Sequence, residues 1–260
     1  MRAKVNGTEI AYVERGKGKN TIVFVHGLGE NKESWRYQTE YFSNKARTIA
    51  VDLRGHGESG DSNISLDIFV EDLRALVDKL GAKEIILCGL SMGGAISMAF
   101  CSKYPERVKA MVLADTSSGF SKETAERMFS QRMDYIENKG MEELGKFISN
   151  GALSESADEA LREEVRKMFA SNKVGPYKEA TKVAILSNLD EVLPKIRAPV
   201  LIMVGEKDRT TPVELAKHLN ERIKGSELRI IPGAGHLSKL EKPELFNNYM
   251  EEFLTERGFL

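Results

Sequence analysis

The order of apolar segments in this chain predicts an α/β fold with a mostly parallel central sheet flanked by helices. Three observations carry that reading. Between residues 1 and 120, short apolar runs suited to strands alternate with segments of helical spacing. Several runs, such as Thr21-Ile22-Val23-Phe24-Val25, are apolar without alternation, as expected for strands covered on both faces. From Ser121 to Leu189 the strand signal stops, helical segments follow one another, and strands resume at Pro199. The expected organisation is one core, residues 1–120 and 190–260, with residues 121–189 as a helical insertion after the sixth strand.

Composition narrows the possible roles. A chain of 260 residues buries roughly 70–75% of its unfolded surface, ample for a core without staples. Its 38 Lys and Arg balance 39 Asp and Glu for a net charge of −1, so neither nucleic acid nor an anionic membrane is favoured as a partner. Cys88 and Cys101, the two cysteines, lie in apolar runs and read as reduced core thiols. With four histidines scattered along the chain they make no metal set, and no cofactor is expected. The N-terminus lacks a hydrophobic signal region and no apolar run nears about 18 residues, which points to the cytoplasm. Homo-oligomerisation stays open.

Taken in order, Asn6-Gly7 sets a tight hairpin turn between two short strands. The strand at Thr21–Val25 ends in His26-Gly27-Leu28-Gly29, and a helix is expected around residues 33–42. Thr48-Ile49-Ala50-Val51 is a buried-type strand ending at Asp52-Leu53-Arg54-Gly55-His56. Ser65 suits a helix cap, and Leu66, Phe69, Val70, Leu73, Leu76, Val77 and Leu80 recur at helical spacing until Gly81 stops them. A strand at 84–88 leads through Gly89 to a helix over 95–104, and residues 108–114 form the sixth strand, ending at Asp115. In the helical insertion, Met128, Phe129, Met133 and Ile136 are among the apolar positions. Beyond it come a strand at 199–204, a helix at 212–223, a strand at 228–231 and a closing amphipathic helix at 243–254.

The segment that carries chemistry is Gly89-Leu90-Ser91-Met92-Gly93-Gly94, a G-x-S-x-G between strand and helix. A serine at such a sharp turn is displayed clear of its neighbours, with the positive end of a helix behind it. Its hydroxyl is a poor nucleophile at neutral pH and needs an imidazole to take its proton. Asp208 and His236 each follow a strand end, where an open parallel sheet gathers its ligands. Asp115, after the sixth strand, competes with Asp208 as the acid. His56 competes with His236, but its loop precedes the nucleophile, so a structural or pocket-edge role suits it better.

The elbow, the HG-x-G loop, the D-x-R-G-x-G-x-S segment at Asp52–Ser59 and the G-x-G-H-x-x-x-x-E-x-P segment at Gly233–Pro243 together resemble the α/β-hydrolase family. The resemblance spans nearly the whole chain outside the insertion, which falls where the family carries a cap over its active site. It implies Ser91, Asp208 and His236 as nucleophile, acid and base, with the backbone N–H groups of Leu28 and Met92 as the oxyanion hole. Trp35, Phe120, Met128 and Phe129 are the expected pocket residues.

Serine at 91 separates the chain from relatives that work through an alkylated aspartate. Leu237 stands where ring-cleavage C–C hydrolases commonly carry tryptophan and plant hydroxynitrile lyases lysine. The branch it most resembles holds small carboxylesterases and 3-oxoadipate enol-lactonases. Members near the lactonases are expected to have an Arg-Trp pair in the cap, for which Lys146-Phe147 is the nearest counterpart. The expected activity is serine carboxylesterase on a small-molecule, short-acyl ester, with a lactonase as the alternative. A hydrolase-fold ligand receptor is the reading from another class.

Overall fold

A computed structural model describes all 260 residues. The strands are β1 (Arg2–Val5), β2 (Thr8–Arg15), β3 (Thr21–Val25), β4 (Arg47–Val51), β5 (Ile85–Leu90), β6 (Val108–Ala114), β7 (Val200–Gly205) and β8 (Glu227–Ile231). They form one sheet in the order β1-β2-β4-β3-β5-β6-β7-β8. The pairs β1·β2 and β2·β4 are antiparallel, and every other pair is parallel. At the first hairpin Asn6 and Gly7 take φ of 45° and 75°, the left-handed pair that a two-residue turn requires.

Successive residues of the central strands serve opposite faces, which explains their unbroken apolar runs. Val23, Val25, Ile49, Leu87 and Ile202 pack with α2 (Leu66–Lys79), α3 (Met92–Lys103) and α7 (Val213–Arg222) on one side. Ile22, Phe24, Ala50, Cys88 and Met203 pack on the other with α1 (Arg36–Phe42) and α9 (Pro243–Glu256). The expected helix over 33–42 opens as a 3₁₀ turn, Lys32–Trp35, before α1. Ser65 caps α2 by accepting the Ile68 N–H at 3.3 Å.

This winding places the site. The chain leaves β3 for α1 on one face, and leaves β5, its neighbour, for α3 on the other. Their carboxyl ends therefore part and leave a crevice, the switch point where ligands of open α/β sheets collect. Between β6 and β7 lie α4 (Lys122–Ala152), α5 (Glu159–Ala170) and α6 (Val174–Leu186), with α4 broken at Gly140 (φ 75°, ψ 178°). The short α8 (Ser238–Glu241) follows the His236 loop. No helix is long and apolar enough to cross a membrane.

Candidate active site

Ser91 joins β5 to α3 with φ 53° and ψ −117°, a conformation costing a non-glycine residue on the order of 1–3 kcal/mol. The turn is held from both sides. The Ser91 N–H donates to the Ala114 carbonyl at 3.0 Å, and its own carbonyl accepts the Thr116 hydroxyl at 2.7 Å. Glycine at 93 is obligatory because a Cβ there would overlap the Val25 carbonyl where α3 crosses β3. The HG-x-G loop packs against the same turn: a Cβ on Gly27 would lie 3.3 Å from that of Ser91. The Leu28 N–H donates to no group of the chain. Met92, as the first residue of α3, has no helical acceptor for its own N–H. Both residues line the cavity beside Ser91.

The residues expected as acid and base meet. His236 Nδ1 lies 2.9 Å from Asp208 Oδ2, and both residues are buried. Asp208 is fully committed: Oδ1 accepts the N–H groups of Thr210 and Thr211 at 2.8 and 2.9 Å, and Oδ2 also accepts the Thr211 hydroxyl at 2.8 Å. Burial would raise the Asp208 carboxyl, but the His236 charge and these hydrogen bonds outweigh it and hold the group below the usual aspartate range. At His236 burial alone would lower the imidazole, and the Asp208 carboxylate more than offsets it, leaving a net rise above 6.5. With Nδ1–H turned toward Asp208, Nε2 is the free base. Thr211 was missed in the sequence, although the D-R-T-T run after β7 carries the signal of an aspartate that gathers local N–H donors.

Asp115 takes a different role. Its Oδ1 accepts the Gly205 N–H at 2.8 Å and its Oδ2 the Ser238 hydroxyl at 2.5 Å, so it ties the β7 end to the histidine loop. Burial, with Asp208 close by, pushes its carboxyl up to about 8. The competition between Asp208 and Asp115 thus falls to Asp208 on geometry. His56 is buried, faces the His26 ring edge-on at 5.0 Å, and is pushed down to about 3 by burial, so it stays neutral away from the cavity lining.

The cavity holds about 290 Å³ and is roofed by the α4–α6 helices. Phe120 and Met128 line it, joined by Phe147, Ile148 and Phe169. Two expected pocket residues do not. Trp35 is fully buried in the sheet core, 5.1 Å from the Phe24 ring, because the 3₁₀ turn ahead of α1 aims it inward. Phe129, one position past Met128 on α4, is rotated about 100° away and leaves the lining to its neighbour. Nor does Lys146 reach the cavity, since it pairs with Glu143 at the surface. The cap cation that lines it is Arg132, held by a 2.7 Å hydrogen bond to the hydroxyl of buried Tyr177 and paired with no carboxylate.

The family model described as alpha/beta hydrolase fold matches residues 20–243. A Bacillus subtilis protein with a provisional 2-succinyl-6-hydroxy-2,4-cyclohexadiene-1-carboxylate synthase assignment is 31% identical, over 96% of each chain. The 3-oxoadipate enol-lactonase 2 of Acinetobacter baylyi is 27% identical, over 88% of this chain and 86% of its own. Among solved structures, a thermophilic esterase from Thermogutta terrifontis, described as malate bound, superposes with a TM-score of 0.89 at 29% identity, over 98% of both chains.

Proposed function

Because the chain belongs to the α/β-hydrolase family, we propose that it is a serine carboxylesterase acting on short-acyl esters through an acyl-enzyme. The single observation that carries the proposal is the buried Asp208–His236 pair opening into the same apolar cavity as Ser91. In this reading Ser91 Oγ attacks the ester carbonyl as His236 Nε2 takes its proton. The Leu28 and Met92 N–H groups receive the charge that develops on the carbonyl oxygen. Asp208 fixes the tautomer and steadies the imidazolium without taking up a proton. The same histidine then protonates the departing alcohol and activates water for deacylation. Ser91→Ala should lower turnover of p-nitrophenyl butyrate by ~10⁴- to 10⁶-fold, and unchanged turnover would refute the assignment.

Arg132 favours a second reading, hydrolysis of a carboxylate-bearing lactone. A guanidinium with no carboxylate partner, facing a largely apolar cavity, suits a substrate carboxylate, and the enol-lactonase and malate-bound esterase relatives agree with an acidic ligand. A parallel assay on γ-lactones with and without a carboxylate separates the two. Faster turnover of the acidic lactone than of any simple ester would select the lactonase.

A further inference from the structure

The buried groups around the site include one ion pair that the chemistry above does not use. Lys239 and Glu30 are 0% and 1% exposed and meet at 2.7 Å. They come from the two loops that must cooperate: Glu30 ends the HG-x-G turn, and Lys239 lies just past His236. Burial works against both charges. It draws Lys239 below the usual lysine range, while at Glu30 the ammonium outweighs burial and keeps the carboxyl below its usual value. An isolated buried pair often adds no stability over apolar side chains of the same volume, so stability does not by itself account for it.

Each atom of the pair has a defined task. Glu30 Oε2 accepts the Gly27 N–H at 2.8 Å, which fixes the His26–Gly27 peptide, one step before the peptide that carries the Leu28 N–H. The Glu30 N–H donates in return to the Gly27 carbonyl at 3.3 Å and closes the turn. Glu30 Oε1 is left for Lys239, whose ammonium also donates to the Ser34 carbonyl at 3.1 Å and lies 4.7 Å from the Trp35 ring centre. Trp35 is thus part of the support for this cation. Glu30 also borders the cavity, where a bare carboxylate would oppose a developing oxyanion; the lysine neutralises it.

We propose that Glu30 and Lys239 are positioning residues for the oxyanion hole: the carboxylate locks the Gly27–Leu28 turn so that the Leu28 N–H faces the substrate carbonyl, and the ammonium couples that turn to the His236 loop. The proposal rests on the serine-hydrolase reading. It differs from a purely structural role in what it affects, since a donor that matters only once the oxyanion forms acts on kcat and leaves ground-state binding alone.

The test avoids a lone buried charge, which could prevent folding. Two double variants of the full chain are compared, Glu30→Gln/Lys239→Met and Glu30→Leu/Lys239→Met. Both are uncharged at these positions, and only the first keeps an acceptor for the Gly27 N–H. Relative to the glutamine variant, the leucine variant should lose about 10- to 100-fold in kcat on p-nitrophenyl butyrate with KM within about twofold. Its affinity for an alkyl trifluoromethyl ketone, which adds to the serine to form an oxyanion, should fall by a similar factor. Affinity for the matching methyl ketone should hold. Equal kcat and equal trifluoromethyl ketone affinity in the two variants would overturn the proposal. So would a matching loss for the methyl ketone, which would mark general distortion. If the leucine variant does not fold, Glu30→Ala/Lys239→Met removes the same acceptor. Ser91→Ala, run alongside, keeps the two readings apart: full activity there defeats the hydrolase assignment, whereas an inactive Ser91→Ala with equal double variants defeats only the positioning role.

Discussion

The loops at the carboxyl ends of β3 and β5 to β8 and the helices α4–α6 above them are held by different forces. In the loops the carboxylates of Glu30, Asp115 and Asp208 are buried and each accepts more than one hydrogen bond. Asp208 accepts four hydrogen bonds, and Asp115 spans two loops. Glu241 joins in from below, accepting the Gly235 N–H at 2.8 Å and the Ser154 N–H at 3.0 Å. In the cap, Arg132 apart, the charged pairs lie at the surface, as in Arg166 with Glu163 and Lys182 with Glu179, where a pair contributes roughly 0–1 kcal/mol. The cap is otherwise held by apolar contacts such as Phe169 and Tyr177 and by a few hydrogen bonds at its base, such as the His236 N–H to the Ala152 carbonyl at 2.7 Å. Buried hydrogen bonds are directional and costly to leave unmade, so they fix atoms; apolar contacts fix only volumes. The lesson is a division of tolerance, with chemistry placed on the rigid part and selectivity on the part that can be reshaped.

That contrast can be broken from either side. The largest effect beyond Ser91 is expected at Asp208→Asn, which should cost ~10⁴-fold in kcat by disturbing the histidine tautomer. The base must be neutral to act, so kcat/KM falls as pH drops through the His236 pKa, which the Asp208 carboxylate holds above 6.5. In Asp208→Asn burial loses its largest counterweight, with only the weaker pull of Asp115 and Glu30 left, and the residual activity should keep its plateau to lower pH. A pH–rate profile of both proteins checks this, and a limb that moves upward would contradict it.

In the cap, the effects should be smaller and substrate-dependent. Arg132→Gln should raise KM about tenfold for an ester bearing a carboxylate and leave a neutral ester of equal length within about twofold. Equal effects on both substrates would deny the arginine an anion-binding role. The smallest effect is expected at Gly140→Ala. Nothing lies within 4 Å of the added methyl group, so only the backbone conformation at φ 75° and ψ 178° is penalised, by about 1–3 kcal/mol. The thermal unfolding midpoint should drop while kcat on a neutral ester is unchanged, and a fall in kcat would show that the cap steers the chemistry itself.

Much of the core was legible in the residues. Unbroken apolar runs mark β3 to β7, Asn6-Gly7 marks the first turn, and the glycines around Ser91 mark a place where strand and helix pass closely. These are local features, set by the conformational preferences and side-chain periodicity of a few neighbouring residues. The Ser91, Asp208 and His236 positions could be named because their motifs, in this order and each past a strand end, resemble those of the α/β-hydrolase family. What the linear order could not settle depends on rotation and on distance along the chain. Trp35 points into the sheet because a 3₁₀ turn precedes α1, and Phe129 yields to Met128 through one step of helix rotation. Asp208 and Asp115 both follow strands, and only the docking of β7 against β8 brings the His236 ring to the first of them. Arg132 reaches the cavity because Tyr177, 45 residues later, holds it there. Glu30 and Lys239, 209 residues apart, meet only when the first and last loops of the site close on each other. The sequence by itself determined the strands, the turn that displays Ser91 and the order of the reacting groups. Tertiary structure decided which charges face the substrate and which support the machinery, because that choice is made by contacts between segments that no local pattern encodes.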